Sequence, residues 1–400
     1  MTKDEKIEQL LKRRVDEVVI KKHLREKLSS DKKLRIKFGI DPTASDIHLG
    51  HSVPLLKLRE FQKMGHQVIL LIGDFTARIG DPTGRTISRV PLTTEKIEEN
   101  MKTYQKQASL ILDMEKVEVR HNSEWFGKMN FKEIMILASS VTYGQVSARA
   151  DFKKRLAEDK DFTLEEFLYP VLQGYDSVAL KADVEIGGTD QKFNMIMGRR
   201  LQRRYKQEPQ DVLTCPLLEG TDGKEKMSKS MGNYIALTEK PVEMYGKVMS
   251  IPDKLIKKYF KLLTELDKKQ IEGNLELGPR NAKAALAREI VSFYHNKEEA
   301  QKAEEEFEKV FKEKKAPADM PERKVKIKSV KIDAGSRYIA DLLFQFGLVS
   351  SKSEARRLIE QKGVKLNGDV WDFNGLREFS RGDEVIMQVG KRKFIKVRFY

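Results

Sequence analysis

Two short segments of this chain carry side chains suited to handling a polyphosphate. His48-Leu49-Gly50-His51 places two histidines three residues apart, and Lys226-Met227-Ser228-Lys229-Ser230 places two lysines three residues apart behind the turn Gly220-Thr221-Asp222-Gly223. Lysines on a loop can grip a phosphate as negative charge develops on it, and histidines at a helix start can donate hydrogen bonds to the same oxygens. Transfer of a nucleotidyl group asks the protein for positioning and charge stabilisation more than for covalent help. Each segment alone has a plainer reading. His48 and His51 are also ordinary polar residues at a helix start, or a zinc pair with no obvious third ligand, and Lys226 and Lys229 are also solvated loop lysines. In this order and combination they point to the phosphates of a nucleotide.

The elements that must position these groups read as alternating strands and helices. A strand over residues 34–40 ends at Asp41-Pro42-Thr43, Asp46 is placed to cap the next helix, and His48 to His51 form its first turn. Pro54 falls where a missing N–H costs little. A strand end opening onto a helix N-terminus is an anion site, because free N–H groups and the helix dipole both face it. Gly50 leaves the backbone bare for an adenine or ribose. Further apolar runs at 68–72, 117–119, 184–186 and 212–217, separated by helical stretches, predict βαβ units and a parallel sheet. Two glycine loops, at 79–85 and 186–191, follow strands and so belong at the same sheet edge, where open α/β folds bind ligands. Tyr169, Gln173 and Asp176 are spaced i, i+4, i+7 and share one face of a helix that Pro170 starts or kinks. Residues 1–30 read as one amphipathic helix, with Ile7, Leu10, Leu11 and Val15 at helical spacing.

The fold class expected is α/β: a Rossmann-like parallel-sheet catalytic domain with an N-terminal helix (1–234), an all-helical domain (235–315), a linker (316–335) containing Pro317 and Pro321, and a small basic α+β RNA-binding module (336–400). Within that module Ser351-Lys352-Ser353-Glu354 reads as a capping box, Asn367-Gly368 as a hairpin turn, and 391–398 as a basic strand. Lys and Arg outnumber Asp and Glu by 76 to 61, a formal charge of +15 that favours polyanions, nucleic acid before membrane. The single cysteine, Cys215, excludes internal disulfides and a thiol cluster for zinc, and no metal site is expected. No apolar run reaches 18 residues and the N-terminus is charged, so neither a membrane span nor a signal peptide is expected and the cytoplasm is the default.

These segments together resemble the class I aminoacyl-tRNA synthetases, and within them the tyrosyl family, over essentially the whole chain. Asp41-Pro42-Thr43 with His48–His51 is similar to the family's first signature and Lys226–Ser230 to its second; the segments at 80–82, 169–176 and 187–191 are similar to its amino-acid pocket. The C-terminal module resembles a small RNA-binding fold shared with a ribosomal small-subunit protein. The resemblance implies activation of L-tyrosine with ATP and Mg²⁺, transfer to tRNA(Tyr), and a homodimer, for which the apolar run Phe131–Ala138 is either interface or core. It implies that Asp176 accepts the phenolic hydroxyl, that Asp81, Tyr169 and Gln173 hold the α-amino group, and that Gln191 lies near the carboxylate and α-phosphate. Asp41, Gly50, Gly188 and Asp190 would surround the adenosine. Thr43, His48, His51, Lys226 and Lys229 would stabilise the transition state. The better-known branch has a tyrosine beside the phenol where this chain has Lys37, as a second bacterial branch does; Lys37 is counted with the tyrosine site, and the phenol depends mainly on Asp176. The rival readings are the tryptophanyl family, an RNA-binding protein built on a retired synthetase, and a small-molecule adenylyltransferase.

Overall fold

A computed structural model describes residues 2–400 apart from 44, 84–91, 162, 313–319, 327–329, 333–337, 372–376, 380 and 391–392. Gly84 and Arg85 of the first glycine loop, much of the expected linker, and Lys391 and Arg392 therefore lie outside the described residues. The chain divides into two compact units, residues 1–300 and 301–400.

A six-stranded sheet organises the first unit: β1 (Glu17–Val18), β2 (Arg35–Ile40), β3 (Gln67–Ile72), β4 (Val117–His121), β5 (Val184–Gly188) and β6 (Asp211–Cys215), in the order β1-β6-β5-β2-β3-β4. All pairs are parallel except β1 with β6 at one edge. The run Val68–Ile72 in β3 is buried throughout, as a strand covered on both faces requires. The strand order reverses between β2 and β5, where neither neighbour follows the other in sequence, so a crevice opens at their carboxyl ends. The five parallel strands coincide with the apolar runs.

Helices α1 (Lys3–Leu10) and α2 (Lys21–Ser29) precede β2, α3 (Leu49–Lys63) joins β2 to β3, and α4 (Thr94–Ala108) precedes β4. Between β4 and β5 come α5 (Ser123–Phe126), α6 (Phe131–Ala138), α7 (Tyr143–Ser147), α8 (Ala150–Ala157) and α9 (Leu164–Leu180); α10 (Lys192–Arg204) joins β5 to β6. Between residues 241 and 312 come α11 (Pro241–Met249), α12 (Ile256–Leu263), α13 (Lys268–Glu276), α14 (Pro279–Tyr294) and α15 (Lys297–Lys312), with no strand among them. No helix among the described residues is long and apolar enough to cross a membrane.

Two local expectations are corrected. The first 30 residues are two helices, not one: Arg14 takes a left-handed backbone (φ 55°), and its buried guanidinium donates to the Leu262 and Thr264 carbonyls at the C-terminal end of α12, so the chain turns there and forms β1. Of the two roles expected for Pro170, starting α9 is excluded: Thr163 and Glu166 cap that helix reciprocally and Pro170 lies in its interior. Pro54 likewise sits inside α3 beyond the first turn. Helices α9 and α10 pack closely because Gly174 is bare there. A Cβ on it would sit 2.9 Å from Leu201 and 3.1 Å from the Gly198 nitrogen.

The second unit holds α16 (Tyr338–Gln345) and α17 (Lys352–Glu360) with a five-stranded sheet formed by β7 (Glu322–Val325), β9 (Val364–Leu366), β10 (Asp369–Val370), β12 (Glu384–Val389) and β13 (Lys393–Phe399). A separate pair joins β8 (Val330–Ile332) to β11 (Arg377–Phe379). Ile339, Leu343, Ile359, Leu366, Met387 and Val397 are among its core residues. Asn367 and Gly368, at φ 51° and 92°, make the hairpin turn between β9 and β10. Ser351 caps α17, but the expected capping box is only half formed, because the Glu354 carboxylate takes the Ser350 N–H and hydroxyl instead.

Candidate active site

At the carboxyl ends of β2 and β5 the chain encloses a cavity of about 740 Å³. Thr43, His48, His51, Lys226 and Lys229 line one side of the same cavity that Lys37, Asp81, Tyr169, Gln173, Asp176 and Gln191 line, together with Asp41, Gly50, Gly188 and Asp190. All fifteen residues singled out from the sequence are thus brought together, although 192 positions separate Lys37 from Lys229.

The histidine and lysine side is built on α3 and the loop that carries Lys226 and Lys229. Residues 47–49 run extended beside 235–237, with Leu49 N–H donating to Ile235 O at 2.9 Å and Leu237 N–H to Ile47 O at 2.9 Å. This pairing delays the helix, so His48 rather than Asp46 holds the N-cap position. The expectation that Asp46 caps is corrected: its carboxylate instead accepts from Lys229 Nζ at 2.6 Å. The imidazoles of His48 and His51 stack with centroids 3.8 Å apart. Burial first, then its neighbour, pushes His48 down to about 2; burial and Lys226 push His51 down to about 4. Both rings are therefore neutral near pH 7 and act as hydrogen-bonding dipoles, not cations. Gly50 is bare for a reason beyond substrate access, since a Cβ there would meet the His48 ring at 3.0 Å and Met227 at 3.4 Å.

Met227 is buried and fastens the lysine loop, whose backbone pairs with Leu218 at 2.8 Å. Asn233, which the sequence did not flag, gathers the loop by accepting from Ser228 N–H at 2.8 Å and donating to Asp222 at 3.0 Å. Lys226 then reaches Asp190 at 2.8 Å, while Lys229 reaches Asp46 and the Ser45 hydroxyl. The Asp46 hydrogen bond raises the pKa of Lys229. Both ammonium groups sit half exposed against carboxylates that a more highly charged anion can displace them from.

The opposite end is deeper. Asp176 is buried and accepts from Trp125 Nε1 at 3.0 Å. Burial drives its carboxyl up to about 7, with Lys37, Trp125 and Asn122 pulling the other way. The Tyr169 hydroxyl donates to Asp41 at 2.8 Å, and Asp41 also accepts from Thr76 at 2.8 Å. Burial and then the carboxylates of Asp41, Asp81 and Asp176 hold Tyr169 well above the usual phenol range, so it stays a neutral hydroxyl ringed by negative charge. Asp81 accepts from Gln191 Nε2 at 2.5 Å and from the Thr83 hydroxyl at 2.6 Å. Such a set suits a ligand with an ammonium near Asp81 and Asp41 and a hydroxyl donor near Asp176.

Lys37 and Glu185 are register neighbours on β2 and β5, and their buried side chains pair at 2.9 Å. Lys37 Nζ also donates to the Gln173 carbonyl at 3.1 Å and the Ser177 hydroxyl at 2.9 Å, which occupies all three of its donors. Trp125, Asn122, Glu185, Arg149 and Asn194 were not legible as site residues. They lie on elements with no motif of their own, and only tertiary packing makes them neighbours of the cavity.

Comparison with known proteins bears on what occupies this cavity. Residues 29–312 match the family described as tRNA synthetases class I (W and Y), and residues 339–372 match the S4 domain. The chain is 48% identical to the tyrosine–tRNA ligase of Thermotoga maritima over 99% of this chain and 98% of that one. It is 49% identical to that of Carboxydothermus hydrogenoformans, covering 98% and 97%. The chain belongs to the tyrosine–tRNA ligases. Among solved structures, the family likeness extends to the tyrosyl-tRNA synthetase of Archaeoglobus fulgidus complexed with L-tyrosine, at TM-score 0.61 and 25% identity over 76% of this chain and all (100%) of that one. A C-terminally truncated mitochondrial tyrosyl-tRNA synthetase from Aspergillus nidulans gives TM-score 0.65 at 25% identity, covering 78% and 94%. Membership in this family, with tyrosine relatives across nearly the full length, sets aside the tryptophanyl reading.

Proposed function

We propose that the cavity makes tyrosyl-adenylate and then passes tyrosine to the 3′ end of tRNA(Tyr). The observation that carries this reading is the union, in one cavity, of the buried Asp176 and the paired histidines and lysines. Tyrosine enters with its phenol donating to Asp176 and its ammonium facing Asp81, Tyr169 and Gln173. Its carboxylate, beside Gln191, attacks the α-phosphorus of ATP in line, and pyrophosphate leaves. Thr43, His48, His51, Lys226 and Lys229 donate to the phosphate oxygens as charge shifts onto the leaving group. In the second step a hydroxyl of the terminal tRNA adenosine attacks the acyl carbon and AMP leaves. Asp41, Gly50, Gly188 and Asp190 bound the adenosine side of the cavity, with Asp41 shared with the ammonium pocket through Tyr169. Lys37, its donors occupied, supports the pocket wall rather than gripping the phenol. Mg²⁺ arrives on the phosphates of ATP as part of the substrate.

The working division of labour remains catalytic (1–234), helical (235–315), linking (316–335) and RNA-binding (336–400), in a cytoplasmic homodimer. Support for the dimer comes from Phe131, Met135, Tyr143 and Leu164, which are 80%, 53%, 63% and 82% exposed on α6, α7 and the start of α9. Large apolar side chains exposed on adjoining elements mark an interaction surface. Tyrosine-dependent exchange of labelled pyrophosphate into ATP, without tRNA and beside phenylalanine and tryptophan, tests the reading. Exchange with tyrosine alone is expected; no exchange with any of the three contradicts it. Deleting 336–400 is expected to spare exchange and abolish most tRNA charging.

A further inference from the structure

Arg149 does not line the cavity, yet it stands at the head of the polar contacts that hold Asp81, Gln173 and Gln191 in the proposed ammonium pocket. It is buried just before α8, and Asp151 grips its guanidinium with both carboxylate oxygens, each at 2.7 Å. That pairing takes most of its charge, and Nη2 stands farther off, 3.8 Å from Asp81 Oδ1. Its remaining donors run in two directions. Nη2 donates to the Thr83 hydroxyl at 2.6 Å, and that hydroxyl donates onward to Asp81 at 2.6 Å. Nη1 donates to Asn194 Oδ1 at 3.1 Å.

The second contact settles three amide orientations at once. Arginine has donors and no acceptor, so it must face the oxygen of Asn194 and leave that side chain's NH₂ pointing the other way. Asn194 Nδ2 donates to Gln173 Oε1 at 2.9 Å and to Gln191 Oε1 at 3.1 Å. Both glutamines are thereby turned with their oxygens inward on Asn194. Gln191 is left donating its NH₂ to Asp81, and Gln173 donating to Glu185 at 3.3 Å. With Asn194 reversed, its carbonyl would draw the NH₂ groups of both glutamines, and Gln191 would be left presenting its own oxygen to the Asp81 carboxylate.

We infer that Arg149, acting through Asn194 and Thr83, is a positioning residue that holds Asp81 and the two glutamines of the α-amino pocket in one donor–acceptor orientation. This rests on the assignment of Asp81 and Gln173 to the amino group. The experiment measures, by calorimetry on the full-length protein, the affinity for L-tyrosine and for 3-(4-hydroxyphenyl)propionate, which keeps the phenol and carboxylate but lacks the amino group. Arg149→Met is expected to weaken L-tyrosine about ten- to a hundredfold, the scale of a lost charged hydrogen bond, and to leave the propionate within about twofold. Arg149→Lys, which keeps the charge but not the fork, is expected to recover little. Asn194→Asp, which keeps the acceptor and removes the donors to both glutamines, is expected to repeat the selective loss and carries the test if Arg149→Met does not fold. Equal loss of both ligands, or of neither, overturns the inference. A wild-type protein that binds neither compound overturns the site reading beneath it.

Discussion

The two ends of the cavity are built on opposite principles. At the amino-acid end, Asp176, Tyr169, Asp81 and Lys37 are each held by hydrogen bonds that exist before any substrate arrives. At the phosphate end, Lys226 and Lys229 rest against Asp190 and Asp46 in half-exposed ion pairs of little intrinsic worth. The buried end is costly to rearrange and so discriminates between ligands. The exposed end is easy to rearrange, so on the proposed reading its cations follow charge as it moves from the α-phosphate to the leaving pyrophosphate. On the proposed reading, selection of the amino acid and acceleration of the reaction fall to different physical environments.

That contrast breaks most visibly at the lysines. Lys229→Ala is expected to slow adenylate formation about 10²–10³-fold, as loss of one transition-state donor does, while tyrosine affinity in the absence of ATP stays unchanged. Rapid-quench measurement of the first turnover separates the two quantities. Asp176→Asn is expected to do the reverse, weakening tyrosine about 10–100-fold through loss of a charged hydrogen bond and eroding discrimination against phenylalanine.

The pH dependence sharpens the same contrast. Because burial raises Asp176 to about 7, its carboxylate is lost as pH falls through that value, so kcat/KM for tyrosine should decline below pH 7 in the wild type and lose that limb in Asp176→Asn. The histidines, already neutral above their depressed values of about 2 and about 4, should add no limb between pH 6 and 8. For stability the signs oppose. A raised carboxyl stabilises the fold below its unfolded pKa and loses that contribution as pH rises through about 7. The depressed histidines contribute fully above their unfolded pKa, and that contribution falls away as pH drops below it.

Gly174→Ala is expected to destabilise the amino-acid end by about 1–3 kcal/mol, read from thermal or denaturant unfolding, because α9 and α10 leave no room for a methyl group. The smallest effect belongs to Asp46→Asn. Releasing Lys229 from an exposed ion pair should change the KM for ATP by less than about fivefold, with tyrosine binding untouched.

The sequence revealed the phosphate end more completely than the amino-acid end. His48, His51, Lys226 and Lys229 announce themselves by local spacing, and the parallel strands by apolar runs such as 68–72. Tyr169, Gln173 and Asp176 were legible as a helical face, but the resemblance to a family supplied their roles. The partners that make those side chains work were hidden, because Arg149, Asn194, Trp125 and Glu185 come from α8, α10, α5 and β5 or their edges and meet only after folding. Lys37 shows the same limit: the sequence counted it with the tyrosine site, but its buried counter-ion, Glu185, came to light only through their register on neighbouring strands. The errors at the N-terminal helix, Asp46 and Pro54 share a cause. Local propensity cannot foresee that Arg14 will cap α12 or that residues 47–49 will pair with 235–237.

Tyrosine binding at equilibrium without ATP, set beside single-turnover adenylate formation in Asp176→Asn and Lys229→Ala, tests the division of labour most directly. Loss of binding in the first variant, and loss of rate with intact binding in the second, is the outcome it predicts. If either substitution lowered binding and rate in parallel, the two ends would act as one unit and the division would be wrong.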